Sequence, residues 1–538
     1  MNTTWRSHGF SAALLAAVCG GGFLGCYERK DVSQPAPSKE TRETPAGDLG
    51  EQESHPAPPV PKQAGKATST EKAAADDLKP PPLFDGWSRP VLAFFVTGQQ
   101  LGYIEPCGCT GLENQLGGLA RRFTLLEQLR EEKGWEVVPL DVGNQVRRYG
   151  PQPVIKFQRT SEALRSMEYR AVAFGPDDLL LPATELLSSI SPPEGGSIFT
   201  SANVEIISRD LTPAWQVFQA GGKKIGVVAI LGDSLRQKLQ GDEVTFTPAA
   251  DALKAALEKV REAGCDFYVL LAHASLDESR ELARQVDALD LVITGGGIGE
   301  PTLEMERVKG SKAQMAQVGT KGMYVGVIGL FDDAIAPLRY QRLPLDSSYK
   351  DAPEMLKLLA DYQEELRRIG LEGAGAREQP HPSGYKFVGT EKCGECHLKA
   401  LAVWENTPHA HATDSLVTPP NNRGHIARHY DPECLSCHVT GWEPQKFFPF
   451  TSGYLDLEKT AHLKHNGCEN CHGPGSTHVA AEEGEGDDDK RLMLRESMRL
   501  PLAGDKAKLK CLECHDLDND PHFKFEEYWP QVEHVGKD

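Results

Sequence analysis

The pentapeptide Cys-x-x-Cys-His occurs four times in the last third of the chain, and no other feature restricts the folding of this sequence as strongly. The copies are Cys393-Gly-Glu-Cys396-His397, Cys434-Leu-Ser-Cys437-His438, Cys468-Glu-Asn-Cys471-His472 and Cys511-Leu-Glu-Cys514-His515. Two thiols one helical turn apart can add across the two vinyl groups of a haem, and the histidine that follows then sits beneath the iron. Chance would supply such a pentapeptide on the order of 0.01 times in a chain of this composition. Zinc motifs do not require a histidine directly after every second cysteine. A disulfide framework would leave the four adjacent histidines unexplained. The copies therefore read as attachment sites for four haem c groups, with His397, His438, His472 and His515 as proximal iron ligands.

Apolar periodicity fades from residue 385 onward while cysteine and histidine become dense. Residues 385–538 are thus expected to form a mainly α, haem-packed tetrahaem cytochrome c domain, largely unfolded without the cofactor. An iron with two histidines is closed and suits electron transfer, whereas an open position can bind substrate. Distal candidates abound: His381, His409, His411, His425, His429, His462, His465, His478, His522 and His534. The segments KCGECHLKALAVWENTPHAHA and NGCENCHGPGSTH resemble the tetrahaem cytochrome c family that accepts electrons from hydroxylamine oxidoreductase. The resemblance covers about 150 residues and implies electron transfer. It implies that His409, in the T-x-H-A position, ligates a different haem from its neighbouring motif, and that His478 is a distal ligand. His429, His465 and His522 are further distal candidates. By order, the family's five-coordinate haem would be the one bound through His438, although His425 and His429 lie just upstream. An alternative function follows: a multihaem oxidoreductase acting on a small nitrogen or sulfur compound at a five-coordinate haem.

The N-terminus carries export features. Residues 10–25 form an apolar run of about 24 Å as a helix, short for a membrane span and suited to a signal segment. Phe23-Leu24-Gly25-Cys26 resembles a lipobox, which implies lipidation of Cys26; simple cleavage and release is the alternative. The expected location is the periplasm or cell envelope, with a lipid anchor as the means of holding a membrane. Residues 27–83 are rich in Pro, Ala, Lys and Glu and poor in large apolar side chains, and are expected to form a disordered linker. A formal net charge of −19 argues against nucleic acid and favours redox partner proteins of basic character.

Residues 84–345 alternate between strand and helix patterns. Strands are expected over 91–96, 137–140, 267–271 and 291–293, and helices over 119–129 and 253–260. Asp351 is expected to cap a helix that runs to about residue 369 and stops at Gly370, within a connecting segment at 346–384. The segment from Thr97 to Pro106 resembles the opening motif of the 5′-nucleotidase branch of calcineurin-like metallophosphoesterases. GGLARR, LDVGN, YRAVAFGPDD, SANV, LLAHAS, LDLVITGGG and VGTKGMYVG follow in that family's order over about 240 residues. The resemblance implies an α/β sandwich with a two-metal site. Here Gln99, Leu101, Asn144, Pro176, Asp177, Gly296 and Ile298 stand at ligand positions, and His273 alone retains its residue type. Leucine, isoleucine, proline and glycine side chains cannot hold divalent ions about 3.5–4 Å apart, so the fold is expected to have lost hydrolysis. Cys107 and Cys109 fall where the rim of that site would be, and read as buried thiols, as a redox or metal site with Cys265 or His273, or as bridged to another cysteine.

Overall fold

The computed structural model describes residues 83–107, 115–191, 196–239, 243–420, 424–502 and 504–537. The expected signal segment, Cys26, almost all of the linker, the Cys107 side chain and Cys109 lie outside the described residues. Pro80–Asp538 forms one compact unit.

Two sheets make the centre of the α/β region. The first orders its strands Leu338–Pro344, Tyr324–Leu330, Leu92–Thr97, Val137–Asp141 and Ala171–Val172. Leu92–Thr97 pairs antiparallel with Tyr324–Leu330 and parallel with Val137–Asp141. The second orders Glu306–Arg307, Gln314–Gln317, Leu291–Thr294, Phe267–His273, Lys223–Leu231 and Trp215–Ala220. Alternation along each strand explains the layering. Leu92, Phe94 and Val96 face the other sheet and meet Val227, Val269, Leu271 and Ile293. Ala93 and Phe95 face outward, against Leu125, Phe157, Leu164, Leu359 and Leu366. The second sheet's outer face packs Val228 and Leu270 against Leu253, Leu257 and Leu282. The result is a helix–sheet–sheet–helix sandwich, which is why its strands are apolar on both faces.

The expected elements are found, with their ends shifted by packing. The first strand spans Leu92–Thr97, and the helix expected over 253–260 runs Ala249–Glu262. Helix Leu119–Glu127 continues into a wider turn over Gln128–Glu132. One local expectation is corrected. The helix after the sandwich spans Pro353–Gly373, and Ala352, without a side-chain cap, precedes it. Proline at the first position, its φ already fixed near the helical value, starts the helix at 353, one residue too late for Asp351 to be its cap. Asp351 instead lies 3.8 Å from Arg121. Gly370, at φ 68°, interrupts that helix, and one more turn carries it to Gly373.

The C-terminal region is mainly short helices, of which Asp488–Arg499, at 12 residues, is the longest, with one small antiparallel pair, Trp442–Glu443 and Phe448–Pro449. It has its own small apolar cluster, including Phe387, Leu435, Val439, Trp442, Phe450 and Tyr454. The cofactor is therefore not its whole core, a correction that poor apolar periodicity concealed because these residues come from turns and short helices. Among the described residues, no helix is long and apolar enough to cross a membrane.

Candidate haem-binding site

The motifs sit on or beside single-turn helices. Pro432–His438 and Cys468–His472 contain whole motifs, while Thr390–Gly394 and Lys506–Cys511 lead into theirs. Buried carboxylates hold these turns. Asp431 caps Pro432–His438 by accepting from the Glu433 N–H at 2.9 Å. The same carboxylate accepts from Gln152 at 2.7 Å, Tyr362 at 3.1 Å and Gln363 at 3.2 Å. Within the third motif, Glu469 accepts from the backbone N–H groups of Val388, Gly389 and Gly475. Asn470, beside it, donates to the Val439 carbonyl at 2.8 Å. The two variable positions of that motif thereby tie it to the approach to the first motif and the exit from the second.

The motifs converge on a cavity of about 730 Å³. All four motif histidines and seven of the eight motif cysteines line it; Cys396 does not. None of the nine free cysteines among the described residues is in a disulfide. Histidines from distant segments face three of the motif histidines. Ring centres are 6.3 Å apart for His397 and His478, 6.1 Å for His515 and His409, and 5.8 Å for His472 and His534. Two imidazoles on opposite sides of one metal, each bound at about 2 Å, place their ring centres about 6 Å apart. The residues present thus fit haem c with paired histidine ligands. Burial, with His515 and His438 close by, pushes His409 down to about 4, which keeps its imidazole neutral and able to bind a metal.

Of the other sequence candidates, His411 also lines the cavity, whereas His429, His465 and His522 do not. His465 is buried and its Nδ1 accepts from the Thr413 N–H at 3.3 Å, while its ring lies 6.4 Å from those of Trp404 and His411. His522 is exposed. His429 packs against Tyr430 and lines a separate cavity with Leu366, Arg367 and Tyr454. His534, one of ten candidates in the sequence and not singled out there, follows the helix Phe525–Val532, which returns it to the cavity, and no spacing rule marks it.

The α/β region forms part of the same cavity wall. Leu101, Gly102, Tyr103 and Ile104, from the loop after the first strand, line it together with Val146, Arg147, Arg148 and Lys156. Glu433 of the second motif bonds Lys156 at 2.6 Å and Arg148 at 3.1 Å. Arg428 pairs with Glu105. Arg148 also stacks on the Phe447 ring at 3.8 Å.

At the phosphoesterase-like ligand positions, Gln99, Leu101 and Asn144 keep a left-handed backbone, at φ 48°, 55° and 66°. Gln99 donates to the Gly295 carbonyl at 2.6 Å, and Asn144 donates to Asp177 at 2.9 Å. His273 donates through Nδ1 to the Val142 carbonyl at 2.7 Å. Among the described residues, no group of three or more His, Cys, Asp or Glu side chains is placed to hold a metal ion. Cys265 lies just before strand Phe267–His273 and His273 ends it, roughly 25 Å apart along extended chain. The site expected at Cys107 and Cys109, with Cys265 or His273, rests on side chains outside the described residues.

Comparison with known proteins divides the chain in the same way. The family model of cytochrome c554 and c-prime matches residues 392–473. Cytochrome c-554 of Nitrosomonas europaea is 35% identical over 97 residues, 16% of this chain and 39% of that protein. The apyrase of Aedes albopictus is 21% identical over 298 residues, covering 50% of this chain and 53% of that protein. A 5′-nucleotidase precursor structure from Thermus thermophilus aligns with a TM-score of 0.45 at 18% identity, covering 62% of this chain and 68% of that chain. The chain spans about half the length of the apyrases it matches. The class is an α/β sandwich followed by a mainly helical region, in a chain about half of which is similar to apyrases. The particular feature of this chain is that the helical region carries a cytochrome c554-type domain, which implies haem c.

Proposed function

We propose that this chain is an extracytoplasmic electron-transfer protein with four covalently attached c-type haems. Its α/β domain serves as a structural and docking module without phosphoesterase activity. The observation that carries the reading is the set of three facing histidine pairs around one cavity lined by all four motifs. Haem c, when bound, supplies a one-electron iron couple whose potential the surrounding protein adjusts. The cysteines of each motif would fix a macrocycle through thioethers, and His397, His438, His472 and His515 would hold the irons. His478, His409 and His534 would close three of them from the opposite side. The α/β domain contributes the wall from Leu101 to Ile104 and the cations Arg148 and Lys156 that fasten the second motif.

The absence of hydrolysis is argued from the side chains at the ligand positions. Gln99, Asn144 and His273 direct polar atoms at neighbouring protein groups, and Leu101 has none to offer. The signal segment and the lipobox-like Cys26 support a place in the cell envelope, with basic redox proteins as partners of the acidic chain.

Mass spectrometry of the full chain, matured in a host that attaches haem c, should find four macrocycles. Ultraviolet-visible and electron paramagnetic resonance spectra should show low-spin iron for the three haems with paired histidines. Zinc or unmodified thiols at the motifs would overturn the reading. A high-spin signal accompanied by turnover of a small nitrogen or sulfur compound would replace electron carriage with catalysis.

A further inference from the structure

The motif histidines differ in what their outward nitrogens meet. Nδ1 of His438 donates to the Ala412 carbonyl at 2.8 Å, and Nδ1 of His472 to the Met498 carbonyl at 2.8 Å. Nδ1 of His515 instead donates to a carboxylate, Oδ2 of Asp520, at 2.7 Å. Asp520 is 3% exposed, and its second oxygen, Oδ1, is buried with no hydrogen-bond partner among the described residues. Phe523 stacks on the same imidazole at 4.6 Å between ring centres. The negative charge of Asp520 is therefore directed at one ring and screened little by water.

The loop that carries Asp520 is held from the α/β domain. Asp516 turns the chain by accepting the N–H groups of Asp518 at 2.9 Å and Asn519 at 2.8 Å. Asp518 pairs with Lys321 at 2.7 Å and with Arg147, while Lys321 also donates to the Leu517 carbonyl at 3.1 Å. Arg147 is itself positioned by a buried anchor. The Asp178 carboxylate accepts the N–H groups of Asn144, Gln145 and Val146, the three residues before it. A continuous run of bonds thus leads from the floor of the sandwich to the fourth motif.

We infer that Asp520 is a positioning residue that lowers the reduction potential of the fourth haem, and that Arg147 and Lys321 of the α/β domain hold it on His515. A carboxylate bonded to the ligand makes the imidazole a stronger donor and stabilises the ferric charge. The step it affects is uptake of one electron by that iron. The inference rests on the electron-transfer reading above.

The test uses the full-length holoprotein, with haem content measured by pyridine haemochrome before an optical redox titration. Asp520→Asn should raise one of the resolved potentials and leave the others in place. At a fixed applied potential, the oxidised-to-reduced ratio of that haem should change about tenfold, equivalent to about 59 mV for one electron. The Arg147→Ala, Lys321→Ala double variant should move the same haem in the same direction by less. Combined with Asp520→Asn, it should add nothing further. If the Asn variant loses haem, Asp520→Ser is read in the same way. Superimposable titrations for variant and wild type overturn the inference, as does an equal shift of all the haems or full additivity with the clamp variant. Wild-type protein with fewer than four haems would instead sink the proposed function, a result visible before any potential is compared.

Discussion

Glu469 shows how much a single side chain can organise. It is 2% exposed and occupies a position that the haem motif leaves open, yet three backbone N–H groups converge on it. Burial raises its pKa, and those N–H groups oppose the rise. Glu469→Ala would leave two buried donors and one partly buried donor without an acceptor and should cost roughly 3 kcal/mol, read as a lower denaturation midpoint of the holoprotein. At this scale the sequence was legible for covalent chemistry and mute for the rest. The spacing of Cys468, Cys471 and His472 announces their chemistry because bond geometry demands it. Glu469 carries no such signature, because its partners are 81 and 80 positions away at Val388 and Gly389. His534 was obscure for the same reason: its neighbour His472 is remote in sequence.

Among elements, the contacts between the two regions are mostly ionic and should answer to acid and salt. Burial would raise the pKa of Asp518, but the bonds from Lys321 and Arg147 bring it down to about 2, from 3.8. A carboxyl depressed on folding contributes stability above its ordinary pKa and loses it as pH falls through the folded value. Attachment of the 516–520 loop should therefore weaken between about pH 4 and pH 2. Hydrogen exchange of that loop should rise over this interval, and Asp518→Asn should flatten the response. Salt should loosen the loop in the same assay, because these side chains are partly exposed. Strands of the sandwich were readable as apolar runs because both sheet faces are covered. Their order in the sheets was not, because Leu92–Thr97 and Tyr324–Leu330 are brought together across more than 200 residues.

For the molecule as a whole, haem attachment and phosphate chemistry should separate cleanly. Replacing Cys511 and Cys514 together by serine should remove one macrocycle from the intact mass and leave the other three. Purified protein given divalent metal and a nucleotide should release no phosphate beyond that of His273→Ala. Release that depends on His273 would restore the α/β domain to the enzymes. The two-part organisation was legible in the sequence because a change of composition accompanies the first haem motif. That both parts would enclose one cavity was not, since Leu101 and Tyr103 lie in the loop after the first strand and nothing in their order mentions the motifs they face.

The shared wall has a consequence for descent. A loop that faces its own substrate can change under selection for that substrate alone. Leu101 to Ile104 borders groups encoded some 300 positions downstream, so drift in either stretch is felt by the other. Splitting the gene between the halves would strand one side of the chamber, and the fusion should persist for that reason through inheritance.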